Sequence, residues 1–234
     1  MIEKAMILAA GFGKRILPLT HDIPKPLLKI GKETLLSNTI KFLKLSGVKK
    51  VVINVHYLGE QIINYIDNND FNLEIKIVRE NKKILDTGGG VLNAIHYFSN
   101  EPFIIINPDT IWNADYLQEL ELMKNKFISN EKEKCLLLLV NKKKSFDKTF
   151  KGDFSLEKDL INRQNENNFD YIYTGLQIIK PEVFSNLNLE IFSINKIWNK
   201  LIDSKELHGI ESKVDFLHVS TLEIYKNLIN KIKY

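Results

Sequence analysis

The chain has 234 residues, a formal net charge of +4 and a hydrophobic fraction of 44%. This size and composition predict one globular domain and exclude a disordered or low-complexity chain. The small positive surplus lacks the concentrated basic face of nucleic-acid binders, and no apolar run approaches the roughly 20 residues of a membrane span. The N-terminus lacks a signal-peptide pattern, and the single cysteine, Cys135, allows no internal disulfide. We therefore expect a cytoplasmic protein that binds neither nucleic acid nor membrane.

Strand and helix signals alternate along the first 140 residues. Short apolar or β-branched runs predict strands over residues 5–10, 48–55, 73–78, 103–106 and 136–140. Apolar residues at helical spacing predict helices over residues 35–46, 59–66, 90–98 and 114–127. This alternation predicts right-handed βαβ units and a largely parallel sheet.

The pattern changes after residue 140. Residues 141–170 are polar and weakly periodic, which predicts loops with a short hairpin around 152–156. The run Lys142–Lys144 within them is interpreted as a solvated loop. A further strand is predicted over 171–179 and an amphipathic helix over 193–203, and Ser220-Thr221-Leu222-Glu223 matches a capping box that opens a last helix. No repeat or linker interrupts the chain, so a single domain over 1–234 is expected.

Two motifs near the N-terminus suit phosphate chemistry. In Gly11-Phe12-Gly13-Lys14-Arg15, the glycines let backbone N–H groups approach phosphate oxygens, and Arg15 can hold them bidentately. The motif is neither a Rossmann fingerprint nor a P-loop, and a plain turn is the alternative. In Pro24-Lys25-Pro26, two prolines fix the backbone around one lysine, as a catalytic cation would require, although an ordinary proline-rich turn has the same pattern.

Two further motifs follow later in the chain. Asp86-Thr87-Gly88-Gly89-Gly90 stands ahead of a predicted helix, where bare backbone allows a flat ligand to lie at the helix N-terminus; a flexible loop with a helix cap is the alternative. Asp109 follows the strand over 103–106, at the sheet edge where ligands collect. A carboxylate there can hold Mg²⁺, and a turn or capping role is the alternative.

In this order, the four motifs resemble those of the sugar-1-phosphate nucleotidylyltransferases. The resemblance continues through Gly152-Asp153-Phe154, Tyr173-Thr174-Gly175 and the segment 219–223, and so covers nearly the whole chain. It is greatest to the N-acetylmuramate-1-phosphate uridylyltransferases and to short mannose-1-phosphate guanylyltransferases. It implies a Rossmann-like, three-layer α/β/α fold with a mostly parallel central sheet. It also implies a nucleotide-binding part over about 1–110 and a sugar-binding part over about 111–234.

The resemblance assigns roles to individual residues. Arg15 would hold the β- and γ-phosphates, Lys25 would contact the α-phosphate and the incoming sugar phosphate, and Asp109 would bind Mg²⁺. The other residues implied to bind the nucleotide are Leu8, Ala10, Gly11, Gly13 and Asn107, with Glu80, Gly88 and Gly89 facing the base. Those implied on the sugar side are Gly152, Asp153, Thr174 and Gly175.

This chain departs from the family at two positions. Pro108 stands where the family usually has a small residue such as Gly. His218 stands where the family commonly has a second metal-binding Asp. His218 can act through a metal-bound water or a phosphate, ligate Mn²⁺ or Co²⁺ directly, or be structural while Asp109 alone anchors Mg²⁺. Asp215, three residues earlier on a strand, is expected to face the other side.

The reaction implied is that of an NTP with a sugar-1-phosphate, giving an NDP-sugar and pyrophosphate. UTP with N-acetylmuramate 1-phosphate is the preferred pair. GTP with mannose 1-phosphate, another acceptor such as phosphocholine, and a non-catalytic nucleotide-sugar sensor or partner subunit are the alternatives. A monomer is expected, because the extensions by which the family usually oligomerises are missing.

Overall fold

The computed structural model describes residues 1–163 and 169–232. The helices are α1 Leu35–Leu45, α2 Gly59–Asp67, α3 Asp86–Ala94, α4 Asp115–Ser129, α5 Asn195–Asp203 and α6 Leu222–Ile232. The strands are β1 Lys4–Leu8, β2 Lys29–Ile30, β3 Glu33–Thr34, β4 Lys50–Val55, β5 Glu74–Arg79, β6 Phe103–Ile106, β7 Cys135–Asn141, β8 Ser155–Glu157, β9 Leu160–Asn162, β10 Tyr171–Ile179 and β11 Leu207–Ser212. None of the helices within the described residues is long and apolar enough to cross a membrane.

A nine-stranded sheet has the order β5-β4-β1-β6-β10-β7-β11-β9-β8, and β2 pairs with β3 in a separate hairpin. Strands β5, β4, β1 and β6 are parallel neighbours, as are β7 and β11, while β10 and β9 run in the opposite direction. The predicted mostly parallel sheet is therefore confirmed. The carboxyl ends of β1, β4 and β6 meet at one edge, where ligands of open α/β sheets bind.

The sheet is covered on both faces, which makes the three layers that were expected. Side chains alternate along each strand, so that Ile104 and Ile106 pack with helices α1, α2 and α4 while Phe103 and Ile105 pack with α3 and α5. All four side chains are fully buried. A strand that is buried on both faces has a continuous apolar run, which is why Phe103-Ile104-Ile105-Ile106 predicted the limits of β6 correctly.

Three local predictions were wrong. Helix α3 begins at Asp86, so the glycine run lies inside the helix rather than ahead of it. Strand β11 was missed, because its sequence Leu-His-Gly-Ile-Glu-Ser has no strong strand pattern. The cap of α6 is Thr221, whose hydroxyl accepts from the N–H of Ile224, since the hydroxyl of Ser220 is already bound to Asp147.

Candidate active site

A cavity of about 390 Å³ opens at the carboxyl edge of β1, β4 and β6. The loop after β1, the Pro24–Pro26 turn and the loop after β6 form one end of it. The residues predicted to bind nucleotide or metal that line this cavity are Leu8, Ala10, Gly11, Gly13, Arg15, Lys25, Asn107 and Asp109. The structure therefore brings together eight predicted residues from three separate parts of the chain.

The loop after β1 is shaped by Gly13. Its φ of +64° is a left-handed conformation, and a Cβ there would lie 2.9 Å from Cγ2 of Thr20. The hydroxyl of Thr20 donates to the carbonyl oxygen of Gly13 over 2.8 Å and fixes the turn. Within the described residues, the N–H groups of Gly11 and Phe12 have no acceptor. They can therefore serve an anionic ligand.

Three ionisable side chains converge at this end of the cavity. Nζ of Lys25 donates to Oδ2 of Asp109 over 2.5 Å, and Nε2 of His218 lies 3.2 Å from the same oxygen. The three side chains are only 13–19% exposed. Lys25 is held by its flanking prolines and a single turn of 3₁₀-helix over Lys25–Leu27. The rigid frame that the sequence suggested for Lys25 is thus present.

His218 reaches Asp109 because the two segments pair side by side. The N–H of Val219 donates to the carbonyl oxygen of Asp109 over 2.8 Å, and His218 forms an antiparallel bridge with Thr110. The imidazole stacks on the ring of Phe216. Oδ1 of Asp109 and Nδ1 of His218 are buried and have no hydrogen-bond partner among the residues that the structure describes. The side chains of Asp109 and His218 thus lie next to each other. The chemical role of His218 stays a prediction.

The charge of Asp109 is stabilised by its surroundings. Burial alone would raise the pKa of the carboxyl group, but Lys25 and His218 outweigh burial and hold the pKa of Asp109 well below its usual range. Asp109 is therefore anionic at neutral pH. Asp215 is exposed and lies 3.9 Å from Nζ of Lys144, away from this cluster, as expected. Among the described residues, no group of three or more His, Cys, Asp or Glu side chains forms a complete metal site.

Curated proteins and solved structures give two independent comparisons. The N-acetylmuramate alpha-1-phosphate uridylyltransferase of Neisseria meningitidis serogroup B is 32% identical over 79% of this chain and 78% of that protein. Its namesake from Caulobacter vibrioides is 27% identical over 92% and 90%. Other relatives are named as guanylyltransferases of mannose 1-phosphate and of a heptose 1-phosphate. The solved structure of UDP-glucose pyrophosphorylase from Acinetobacter baumannii has a TM-score of 0.81, covering 98% of this chain and 92% of that one at 16% identity, which shows the shared fold.

A family model described as nucleotidyl transferase matches residues 4–148. This stretch contains the loop after β1, Lys25 and Asp109. The chain belongs to the nucleotidyl transferase family. The resemblance predicted from the motifs is confirmed, and the protein is an enzyme of the sugar-1-phosphate nucleotidyltransferase class.

Glu80, Gly88 and Gly89, which were expected to face the nucleotide base, are not among the residues that line the cavity of this nucleotidyl transferase. The N–H groups of Gly88 and Gly89 donate to the carbonyl oxygen of Phe192, and a Cβ on Gly88 would lie 2.4 Å from the Phe192 ring. These glycines thus allow a distant segment to dock on α3. Glu80 is 4% exposed, and both of its carboxylate oxygens accept hydrogen bonds from the protein. Contact between these three residues and a nucleotide base stays a prediction.

The four residues expected on the sugar side lie around the amino end of β10. Oδ2 of Asp153 accepts from the N–H of Tyr173, while the hydroxyl of Thr174 is buried and donates to a carbonyl oxygen of β7. Gly175 has a φ of +92°, and a Cβ there would lie 2.9 Å from Cβ of Asn107. Gly152 packs against the backbone of Phe169. The contacts of Gly152, Thr174 and Gly175 fix the local backbone of this nucleotidyl transferase. Contact of these three residues and Asp153 with a sugar stays a prediction.

Other residues of the cavity were not predicted as binding residues. They include Asn54, Ile84 and Ser220, whereas Asp86 and Thr87, which also line the cavity, belong to the glycine motif singled out from the sequence. Asn54 is a single polar residue in the otherwise apolar run Val51–Val55, and it is 3% exposed. An isolated amide in a buried strand must find hydrogen-bond partners there, and this was the available signal.

Proposed function

We propose that this nucleotidyl transferase catalyses uridylyl transfer from UTP to N-acetylmuramate 1-phosphate, releasing pyrophosphate. The observation that carries the reaction type is the cluster of Lys25, Asp109 and His218 beside a loop with unpaired N–H groups. The choice of base and sugar is supported by the names of the relatives from Neisseria and Caulobacter.

In this reaction, a phosphate oxygen of the sugar 1-phosphate attacks the α-phosphorus of UTP. The bond from the α-phosphorus to its bridging oxygen breaks, and pyrophosphate leaves with the electron pair. A phosphate monoester has its second pKa near 6, so the nucleophile is largely a dianion at pH 7 and needs no general base. The main obstacle is the approach of one anion to another. Catalysis therefore depends on alignment and on neutralisation of charge.

The cavity supplies groups for both tasks. We assign Lys25 to the reacting phosphates, because its ammonium group is fixed and shares the cavity end with the unpaired loop N–H groups. Arg15 is exposed on the same loop and can reach the terminal phosphates of UTP. Asp109 holds the ammonium group of Lys25 in place through their hydrogen bond. The phosphate end is thus organised before any ligand arrives.

The donor set at Asp109 fits a divalent cation. Oδ1 is a carboxylate oxygen without a partner in the described part of the chain. Mg²⁺ is commonly held by only one or two carboxylates, with phosphates and water completing its shell. We propose that Asp109 holds Mg²⁺, which would neutralise phosphate charge when bound, and that His218 orients Asp109 from Oδ2.

Asp109→Asn and His218→Asp test this assignment. We expect Asp109→Asn to lose Mn²⁺ binding measured by electron paramagnetic resonance, with its fold retained by circular dichroism. His218→Asp should retain the metal preference of the wild type. A changed preference among Mg²⁺, Mn²⁺ and Co²⁺ would instead identify His218 as a direct ligand.

The substrate pair is tested by measuring pyrophosphate release. UTP, GTP, CTP and dTTP are crossed with the 1-phosphates of N-acetylmuramate, N-acetylglucosamine, glucose and mannose, and with phosphocholine. We expect the highest kcat/KM for UTP with N-acetylmuramate 1-phosphate. The guanylyltransferase relatives favour GTP with mannose 1-phosphate as the second candidate, and a maximum there would replace the proposed pair. Nucleotide binding without release in any combination would identify a sensor.

A further inference from the structure

A continuous chain of hydrogen bonds connects the two walls of the cavity at its β4 end, which β1 separates from β6 and the Asp109 that follows it. The N–H of Ala9 donates to Oδ1 of Asn54 over 2.9 Å, and Nδ2 of Asn54 donates to Oε1 of Glu80 over 2.7 Å. Oε2 of Glu80 accepts from the N–H of Leu85 over 2.7 Å. We refer to Ala9, Asn54, Glu80 and Leu85 as the relay.

The relay fixes two segments that face the cavity. Ala9 precedes Ala10 and Gly11 in the loop after β1, and Leu85 precedes Asp86 and Thr87 at the start of α3. Ala9, Ala10, Asn54, Asp86 and Thr87 line the cavity, while Glu80 does not. On the proposed function, the phosphates would lie beside Lys25 and Asp109, and the nucleoside of a bound NTP would lie between these two segments. Glu80 connects the two segments through its hydrogen bonds and is not itself among the residues that line the cavity.

The relay requires a carboxylate at position 80. Both neighbours of Glu80 are donors, so two acceptor oxygens are needed, and an ionised carboxylate provides them. Within the described residues, Glu80 has no ion-pair partner. Burying an uncompensated carboxylate is costly, and a side chain that only filled space would not need the charge. The amide group of Asn54 and the N–H of Leu85 are fixed donors, and they explain why a carboxylate is present at position 80.

Gly90 supports the same interpretation. A Cβ at position 90 would lie 2.8 Å from both Nδ2 of Asn54 and Oε1 of Glu80. The third glycine of the run thus makes room for the central hydrogen bond of the relay. The backbone of Gly90 lies outside the left-handed region, so its conformation does not call for glycine. The reason for glycine at this position is the space that it leaves for the hydrogen bond.

We propose that Glu80 is a positioning residue that sets the nucleoside-binding width of the cavity through Asn54 and Leu85. This rests on the proposed nucleotide site but does not depend on the identity of the sugar. A glutamine at position 80 has one acceptor oxygen and must leave one of the two donors facing its own amide group. An aspartate at position 54 places a second carboxylate oxygen against Glu80.

Exchanging the two groups restores every hydrogen bond with the direction of the central one reversed. In the Asn54→Asp, Glu80→Gln double variant, the carboxylate at position 54 accepts from Ala9 and from the amide at position 80. The oxygen of that amide then accepts from Leu85. The double variant has the same atoms in the same places as the wild type, apart from the exchange of amide and carboxylate.

The test measures UTP affinity by calorimetry and the KM values for both substrates at pH 8. We expect Glu80→Gln and Asn54→Asp each to raise the Kd and KM for UTP about tenfold or more, because a buried donor or acceptor is left unpaired. The KM for the sugar phosphate should change little. The double variant should recover UTP affinity to within about threefold of the wild type, because the relay is again fully paired.

Glu133→Gln is the matched control. Glu133 is also a buried carboxylate and is 1% exposed. It lies ahead of β7, at the amino edge of the sheet, and accepts a hydrogen bond from Nδ1 of His208. We expect it to lower Tm and leave the KM for UTP unchanged. Should either single variant fail to fold, the double variant decides, since it must both fold and bind UTP.

Unchanged UTP affinity in Glu80→Gln, or a double variant as impaired as the weaker-binding single variant, would overturn the proposal. Failure of the proposed function has a different signature. In that case the wild type releases pyrophosphate with another NTP, and the same variants are then measured with that nucleotide, on which the relay acts equally.

Discussion

Polar groups at the two ends of the cavity differ in their hydrogen bonding to the rest of the protein. At the phosphate end, Oδ1 of Asp109 and the N–H of Gly11 have no partner within the described residues. At the other end, the side chains of Asn54 and Glu80 have protein partners on every oxygen and on the amide nitrogen. The first end also contains cations, whereas Glu80 has no ion-pair partner in the part of the chain that the structure describes.

The difference separates two tasks within one cavity. Unpaired groups are available to substrate, and a preorganised set of them stabilises charge that develops during the reaction. Fully paired groups instead hold backbone segments at a fixed distance. We therefore expect loss of the buried cation Lys25 to lower kcat, whereas substitutions in the relay, like loss of the exposed Arg15, should raise the KM for UTP. The predictions below follow in order of decreasing effect.

Lys25→Met should have the largest effect. It keeps most of the side-chain volume but removes the positioned charge, so we expect kcat to fall by about 10²–10³, as for other preorganised donors. Pyrophosphate release measures the change, and thermal unfolding checks the fold. Lys32→Met, in the exposed turn between β2 and β3, is the control and should behave as the wild type. A kcat near that of the wild type in Lys25→Met would remove Lys25 from the reaction.

Arg15→Gln should have an intermediate effect. Its guanidinium group is exposed, so a contact with terminal phosphates is partly screened, and the KM for UTP should rise about tenfold. The increase should shrink as ionic strength rises. Arg79→Gln is the matched control, because Arg79 is exposed at β5 and pairs with Glu60. Equal KM values for the two variants would contradict the phosphate contact.

These predictions depend on contacts that the sequence reveals to different degrees. The continuous apolar run of β6 and the mostly apolar run of β10 predicted both strands with their true limits, because burial on both faces leaves a clear pattern. The hydrogen bond between Lys25 and Asp109, 84 residues apart, was not predicted, because periodicity carries no signal for it and the family resemblance assigned the two residues separate roles. Phe192 docks on Gly88 and Gly89 from about a hundred residues away, and no local pattern indicates such a partner. This is why neither alternative for the glycine run, a ligand-binding backbone or a flexible loop, anticipated its packing inside α3.

Asp147→Asn should have the smallest effect, confined to stability. Asp147 is buried and accepts from the hydroxyl of Ser220 and from Thr149. Burial raises the pKa of Asp147, but the hydrogen bonds from Ser220 and Thr149 outweigh burial and hold this pKa below its ordinary value. The folded state thus favours the anion, so its stabilisation is present above that value and is lost as pH falls through the lowered pKa.

Thermal unfolding across pH measures this contribution. We expect Asp147→Asn to lose about 1–3 kcal/mol at pH 7, the value of hydrogen bonds to a charged group. The gap to the wild type should narrow as pH falls below about 4, where the unfolded carboxyl group becomes protonated. A gap that stayed constant down to pH 2.5 would show that the charge of Asp147 does not contribute.

The division of tasks is tested most directly by comparing Lys25→Met and Glu80→Gln with the wild type in one steady-state assay. UTP and N-acetylmuramate 1-phosphate are varied independently, and pyrophosphate release is recorded. Our account predicts that Lys25→Met loses mainly kcat, whereas Glu80→Gln keeps most of kcat and has a higher KM for UTP. The same kinetic constant changing in both variants would contradict it.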